Sequence, residues 1–257
     1  MKNRQLIIIA IFIILFLFAI SDARNIFLGD IVNKNYKGFY VLENNGKIYN
    51  AGGAMFLGDS SFFNEIVTDM EVINDGYYIL KKDGTVEAFG NTEFWGDARV
   101  KNAVDMEVTE NGYYILDENG KVHNYGNAKI YGNGFGENYV DMEIVKNGYY
   151  LLRKNGKVEI FGNAKFFNDV EIKNAVDMEV TENGYYILDE NGNVYNFGNT
   201  KNFGSVNSEV IDLELVPEGG YFILAKHGDV YSFNANAGFD GPEVDGIKEY
   251  VDLELFF

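Results

Sequence analysis

A glycine that precedes a pair of aromatic residues recurs at Gly38, Gly76, Gly112, Gly148, Gly184 and Gly220, at a spacing of 38 and then 36 residues four times. A fixed period of this length means a chain assembled from copies of one supersecondary unit. The copies read roughly V-D-M-E-V-x-x-x-G-Y-Y-I-L-x-x-x-G-x-V-x-x-F-G-N-x-x-x-aromatic-G. Twenty residues, KNAVDMEVTENGYYILDENG, occur unchanged at Lys101–Gly120 and Lys173–Gly192, and the flanking FGNTEFWGDARVKNA is matched by FGNAKFFNDVEIKNA. The offset is two units, so a pair of structural units was duplicated rather than a site.

Each unit reads as four short strands. Alternation in Val104–Val108 puts Met106 on one face and Asp105 with Glu107 on the other. The next segment, Gly112–Leu116, is apolar on both faces, as expected of a strand held between two neighbours. Asp117–Gly120 reads as a tight turn in which Asn and Gly take left-handed backbone, followed by a third strand over Val122–Tyr125. Gly126-Asn127 then turns into an expected fourth strand around Ile130-Tyr131. Six copies of about 36 residues, each a four-stranded antiparallel unit, describe an all-β, six-bladed β-propeller.

The two ends of the chain favour a closed ring over a solenoid. The first Tyr-pair strand, Gly38–Leu42, has no good V-D-M-E-V segment before it; Asp30-Ile31-Val32 is the nearest and lacks the Glu. The missing strand stands at the other end as Val251–Leu255. A C-terminal strand that completes the first blade leaves no open edge. The segment NIFLGD at Asn25–Asp30 resembles AMFLGD at Ala54–Asp59 and has no place in this ring.

The pattern G-Y-Y-I-L-x-x-x-G-x-V-x-x-F-G-N-A resembles the repeats of secreted bacterial β-propeller proteins, in which a Gly-Tyr-Trp/Tyr strand is followed by a Gly turn and a Phe-Gly-Asp/Asn ending. The resemblance covers about residues 36 to 257 and implies fold and extracellular location only, because such repeats serve varied roles. The Glu in each first strand departs from that pattern, where a small residue is more usual.

The N-terminus supports an extracellular destination. Residues 1–23 carry Lys2 and Arg4, an uncharged apolar run from Leu6 to Ile20, and the small residues Ala19, Ser21 and Ala23. Fifteen apolar residues are short for a membrane span and suit a cleaved secretory signal, with an uncleaved anchor as the alternative. The expected organisation is therefore a signal at 1–23 and one propeller at 24–257, secreted, periplasmic or on the cell surface, and monomeric. There is no cysteine, which excludes disulfides, thiolate metal sites and lipid acylation. A formal charge of −18 repels nucleic acid and anionic lipid.

The repeat also sorts scaffold from site. Trp95 fills a slot held by Leu57, Tyr131, Phe167, Phe203 and Phe239 in the other units, so it is read as packing. His227 aligns with turn residues such as Asn45, Asp83 and Asn119, and is read as conformational; His123 sits in a mixed, partly exposed position. Neither has a nucleophile beside it, and no catalytic residue is assigned.

Six Asp-x-Glu pairs recur, and in a propeller the first strand is innermost. Glu71, Glu107, Glu143, Glu179, Glu214 and Glu254 could therefore converge on the axis and recruit Ca²⁺ or Mg²⁺. The structural alternative, which is preferred, has each Asp capping a turn and each Glu bonding the neighbouring blade. No cofactor is otherwise implied.

The connections from fourth to first strands vary most: Asp59–Ile66, Asn133–Tyr139 and Asp240–Tyr250. Phe62, Phe63 and Phe135 lie in these rim loops and are the candidate ligand-binding residues. The expected function is a binding or scaffold module for a protein, peptide or glycan. A channel-sited carboxylate enzyme, such as a glycosidase or lyase, and a propeller with a structural cation are the alternatives.

Overall fold

The computed structural model describes residues 37–60, 66–217, 219–235 and 248–257, all strands, turns and loops. The N-terminal signal and Asn25–Asp30, together with Phe62, Phe63, Phe239 and most of the Asp240–Tyr250 loop, lie outside them. Six antiparallel sheets follow the six repeats. Blade two is Val67–Ile73, Gly76–Lys81 and Val86–Gly90; blade three is Ala103–Thr109, Gly112–Asp117 and Val122–Gly126. Blade four is Tyr139–Val145, Gly148–Arg153 and Val158–Gly162; blade five is Ala175–Thr181, Gly184–Asp189 and Val194–Gly198. Blade six is Val210–Val216, Gly220–Ala225 and Val230–Phe233. Blade one combines the two ends of the chain: Tyr250–Phe256 pairs with Gly38–Glu43, which pairs with Ile48–Gly52.

Core formation follows from the Tyr pair. Successive residues of a strand point to opposite faces, so each middle strand sends one ring to each neighbouring blade. The second Tyr of one blade then meets the first Tyr of the next edge-on: Tyr78 with Tyr113, Tyr114 with Tyr149, Tyr150 with Tyr185 and Tyr186 with Tyr221, at centroid distances of 5.5–5.7 Å. The apolar core is accordingly divided into six clusters, each shared by two adjacent blades. In one of them Tyr78, Leu80 and Val86 of blade two pack on Ala103, Met106, Tyr113 and Ile115 of blade three.

Each sheet has three paired strands among the described residues, where four were expected. The segment assigned as a fourth strand is claimed by tyrosine hydroxyls instead of a ladder. Tyr114 Oη donates to Lys129 O (2.7 Å) from the same blade. From the next blade, Tyr149 Oη accepts from Tyr131 N (3.1 Å) and Gly132 N (2.9 Å) and donates to Gly132 O. Both hydroxyls hold the strap where it crosses from one blade to the next. Tyr78 and Tyr113 repeat the arrangement on Glu93 and Gly96, and Tyr186 and Tyr221 on Lys201 and Gly204.

The turn between middle and outer strands also differs from expectation. Only its glycine is left-handed, as at Gly120 (φ 81°), while the residue before it is not. Asn45, Asp83 and Asn155 occupy that position because their side chains accept the N–H two residues on, at 3.0–3.2 Å; Asp117 and Asp189 perform this task in blades three and five. His227 is exposed there, with its ring 3.5 Å from Lys248 O.

Ring closure matches the sequence reading. Tyr250, Leu253 and Leu255 are buried with Phe39 and Val41 of blade one and Phe222 and Leu224 of blade six. Deleting Val251–Phe257 removes two buried leucines worth roughly 1.5–3 kcal/mol each and leaves Gly38–Glu43 as an open edge, against a total stability of about 5–15 kcal/mol. Calorimetry should show the melting temperature lowered by at least ~10 °C or no cooperative transition; an unchanged melt contradicts closure. Tyr149→Phe removes three hydrogen bonds and no ring contact. It should cost about 1–3 kcal/mol in a denaturant titration, where a change below the measurement error would show that the hydroxyl does not hold the strap.

Candidate functional site

The inner strands contact one another in sequence around the axis, from blade one through blade six and back. Their alternation buries Met70, Met106, Met142 and Met178, and leaves each Asp and Glu two residues apart, about 7 Å along the strand. Twelve carboxyl groups thus form two stacked rings of six.

The upper ring joins the blades. An inner strand has no partner on its axial edge, and its amides there need acceptors. Asp Oδ2 of the preceding blade supplies one: Asp252 to Met70 N, Asp69 to Met106 N, Asp177 to Leu213 N and Asp212 to Leu253 N, at 2.8–3.0 Å. The Asp therefore reaches across to the next blade, where a turn cap was expected. Among the Glu residues, Glu107 accepts from Ile144 N of the next blade at 3.2 Å.

The six Glu residues border the axial space and are half-buried by exposed area, yet protein surrounds them. All twelve carboxyls are pushed up from the usual range. Burial is the largest cause at every one, and like charge in the rings adds to it at all but Asp212. Asp141 and Asp212, each near two backbone amides, rise only to about 7. Among the described residues, no group of three or more His, Asp or Glu side chains stands at metal-binding spacing.

The strap loops and the middle-to-outer turns share one rim, as expected: Gly134 N donates to Gly120 O at 2.7 Å, and Tyr139 N to Glu118 O at 3.1 Å. Phe135 stands on this rim with 92% of its surface exposed. Its loop is fixed from below. Tyr139 Oη accepts from Phe135 N at 2.9 Å, Arg153 Nη2 donates to Phe135 O, and the guanidinium lies 4.6 Å from the Tyr139 ring. Gly134 and Gly136 flank it because a Cβ at either would strike Tyr139 Oη or Arg153 Nη2.

Beside Phe135 opens a cleft of about 610 Å³ between blades four and five, bordered by Asn138, Arg153, Lys154, Asn155, Glu171 and Lys173. The sequence reading identified Phe135 and missed the cleft. Its signal is Arg153 in the turn RKNGK at 153–157, where the other five blades have ENNGK, KKDGT, DENGK, DENGN and AKHGD. Arg153 and Glu159 form one of five polar pairs linking middle to outer strands, with Glu43–Tyr49, Lys81–Glu87, Asp117–His123 and Asp189–Tyr195, at 2.8–3.1 Å. His123 is thereby accounted for. Trp95 packs on Tyr78 and Tyr113, as expected.

No family model matches the chain, and no curated protein matches it. Solved structures similar to it are β-propellers or share the architecture. A chain of a nidogen/laminin complex aligns with a TM-score of 0.64 at 6% identity, over 86% of this chain and 98% of that one. The computationally designed protein Ika8 gives 0.53 at 13% identity, over 81% and 71%. The WD40 β-propeller domain of Doa1 gives 0.50 at 11%, over 72% and 69%. At these identities the likeness shows the fold alone.

The rings make stability depend on pH with a definite sign. A carboxyl that binds its proton more tightly in the fold than in the unfolded chain, where its value lies near 4, stabilises the fold at low pH. That contribution is lost as pH rises from about 4 through 7, where Asp141 and Asp212 titrate. The melting temperature should fall by roughly 5–10 °C between pH 5 and pH 8.5, and Asp141→Asn should flatten the slope. Calcium that restores the melt at pH 8.5, reversed by a chelator, would instead show that a cation occupies the rings; a flat profile without calcium contradicts the buried-carboxyl account.

Proposed function

We propose that this propeller is a binding or scaffold module, secreted or displayed at the cell surface, and that it engages its partner through the rim at blades four and five. Phe135 carries this reading. A large apolar ring left in water on a loop fixed by Tyr139 and Arg153 loses little entropy on docking, the property of an interface anchor. The chain's N-terminal apolar run and its resemblance to secreted propeller repeats support the location. The propeller neighbours support a binding role in general terms. The repeated, enclosed Asp–Glu pairs hold blades together and offer no asymmetric acid–base pair, so the geometry favours binding over channel-sited hydrolysis.

Phe135→Ala should leave the melting temperature within about 2 °C of wild type, because the side chain is exposed. On arrays of peptides and oligosaccharides, probes that bind the wild-type protein should lose at least ~10-fold in affinity with this variant. Phe166→Ala, which alters an exposed ring on a different strap (51% exposed), should not affect them. Equal losses from both variants, or none from Phe135→Ala, would remove the rim from the reading.

A further inference from the structure

Resting on the rim as the binding site, we infer that the cleft between blades four and five is a carbohydrate subsite that takes an uncharged oligosaccharide, with Phe135 as the platform for a sugar ring.

The charge balance argues first. In a chain of net charge −18, a cleft selecting a cation would be lined by the prevailing carboxylates, and one selecting an anion would carry surplus positive charge. This cleft does neither. Arg153 is committed to Glu159 at 3.0 Å and to the Phe135 loop. The remaining Lys154 and Lys173 are matched in number by Glu137 and Glu171. The formal charge of the lining is therefore zero once the Arg153–Glu159 pair is set aside.

Hydrogen-bonding capacity argues next. Eight of the nine residues lining this cleft are polar or charged, so a ligand meets hydrogen-bonding groups together with the aliphatic stems of the lysine and arginine side chains. Three carboxamides, Asn138, Asn155 and Asn174, each offer a donor and an acceptor. Asn155 spends only its oxygen, on Lys157 N at 3.2 Å, and Asn174 only its NH₂, on Glu190. A donor at Asn155 and an acceptor at Asn174 are left, beside ammonium donors and carboxylate acceptors. This alternation matches the hydroxyls of a sugar, each of which donates and accepts. An extended peptide pairs through a row of backbone groups on a strand edge, whereas the residues lining this cleft belong to turns and straps, with Arg153 at the end of its strand.

The backbone under these groups is fixed. Lys154 N donates to Asn138 O at 2.8 Å, Ala175 N to Lys154 O at 2.8 Å and Ile172 N to Asn155 O at 3.0 Å. Phe135 is tied to the lining through Arg153 Nη2, which donates to its carbonyl, and lies two residues before Glu137 of the lining. Its π face is negative, and the axial C–H bonds of a pyranose carry the complementary positive edge.

The test is a glycan array probed with the full-length protein, followed by calorimetric titration of the best ligand and amide chemical-shift mapping. Neutral oligosaccharides should bind in preference to sulfated or uronic-acid ones and to peptides, and should shift the amides of Phe135, Asn155 and Lys173. Phe135→Ala should weaken binding at least tenfold with unchanged melting temperature; Asn155→Ala should weaken it at least tenfold as well, with a small fall in melting temperature because Lys157 N loses its acceptor; and Lys154→Gln should change binding less than threefold. Preference for anionic glycans with loss on Lys154→Gln, preference for peptides, or absence of any neutral-glycan binding overturns the carbohydrate assignment while leaving the rim reading intact. Shifts confined to residues away from blades four and five overturn both.

Discussion

Every blade of this molecule depends on its neighbours for a buried face, and the tyrosine pair is the device that enforces this. Two adjacent rings on one strand must point in opposite directions, so at every joint but that of blades six and one, where Phe222 and Phe39 take these positions, neither neighbour can be removed without exposing a phenol. The hydroxyls then bring the strap segments into register, because a phenol buried against an apolar face still requires a polar partner. Packing and hydrogen bonding are thus supplied by the same residues. Burial in turn holds Tyr77, Tyr113 and Tyr114 well above the ordinary phenol range, at about 12.

Blade one is where this arrangement is modified. Its middle strand has Phe39 where blades two to six have Tyr77, Tyr113, Tyr149, Tyr185 and Tyr221. Phe39 has no hydroxyl to offer a strap. The same blade is joined by pairing between the two ends of the chain, with Phe39 opposite Leu255 and Val41 opposite Leu253. Strand pairing and apolar packing do at this joint what a hydroxyl clamp helps to do at the other five.

The sequence was legible wherever period and alternation carry the information. Met106 against Asp105 and Glu107, the doubly apolar Gly112–Leu116 and the displaced Val251–Leu255 each follow from side-chain direction and from counting repeats. The fourth strand was misread because Ile130-Tyr131 has strand-like residues, and only the three-dimensional position of Tyr114 and Tyr149 shows that hydroxyls have replaced the ladder. The turn was misread for a related reason: Asn is suited both to left-handed backbone and to accepting a nearby N–H, and here Asn155 does the second. Asp69 was expected to cap a turn because a one-dimensional pattern does not show that the amide it serves, Met106 N, belongs to the next repeat. The rim cleft went unseen because the turn positions were read for backbone conformation, while the one feature peculiar to blade four there is the arginine, Arg153, that reaches the Phe135 loop.

The direction in which the chain enters and leaves has a further consequence. Lys37 N donates to Phe256 O at 2.6 Å, so the first described residue and the final strand meet at the end of blade one where the inner-to-middle turns lie. The rim that carries Phe135 is at the opposite end of the blades. Lys37 and Phe257 therefore lie on the face opposite the rim, so a partner seated at the cleft meets neither of them.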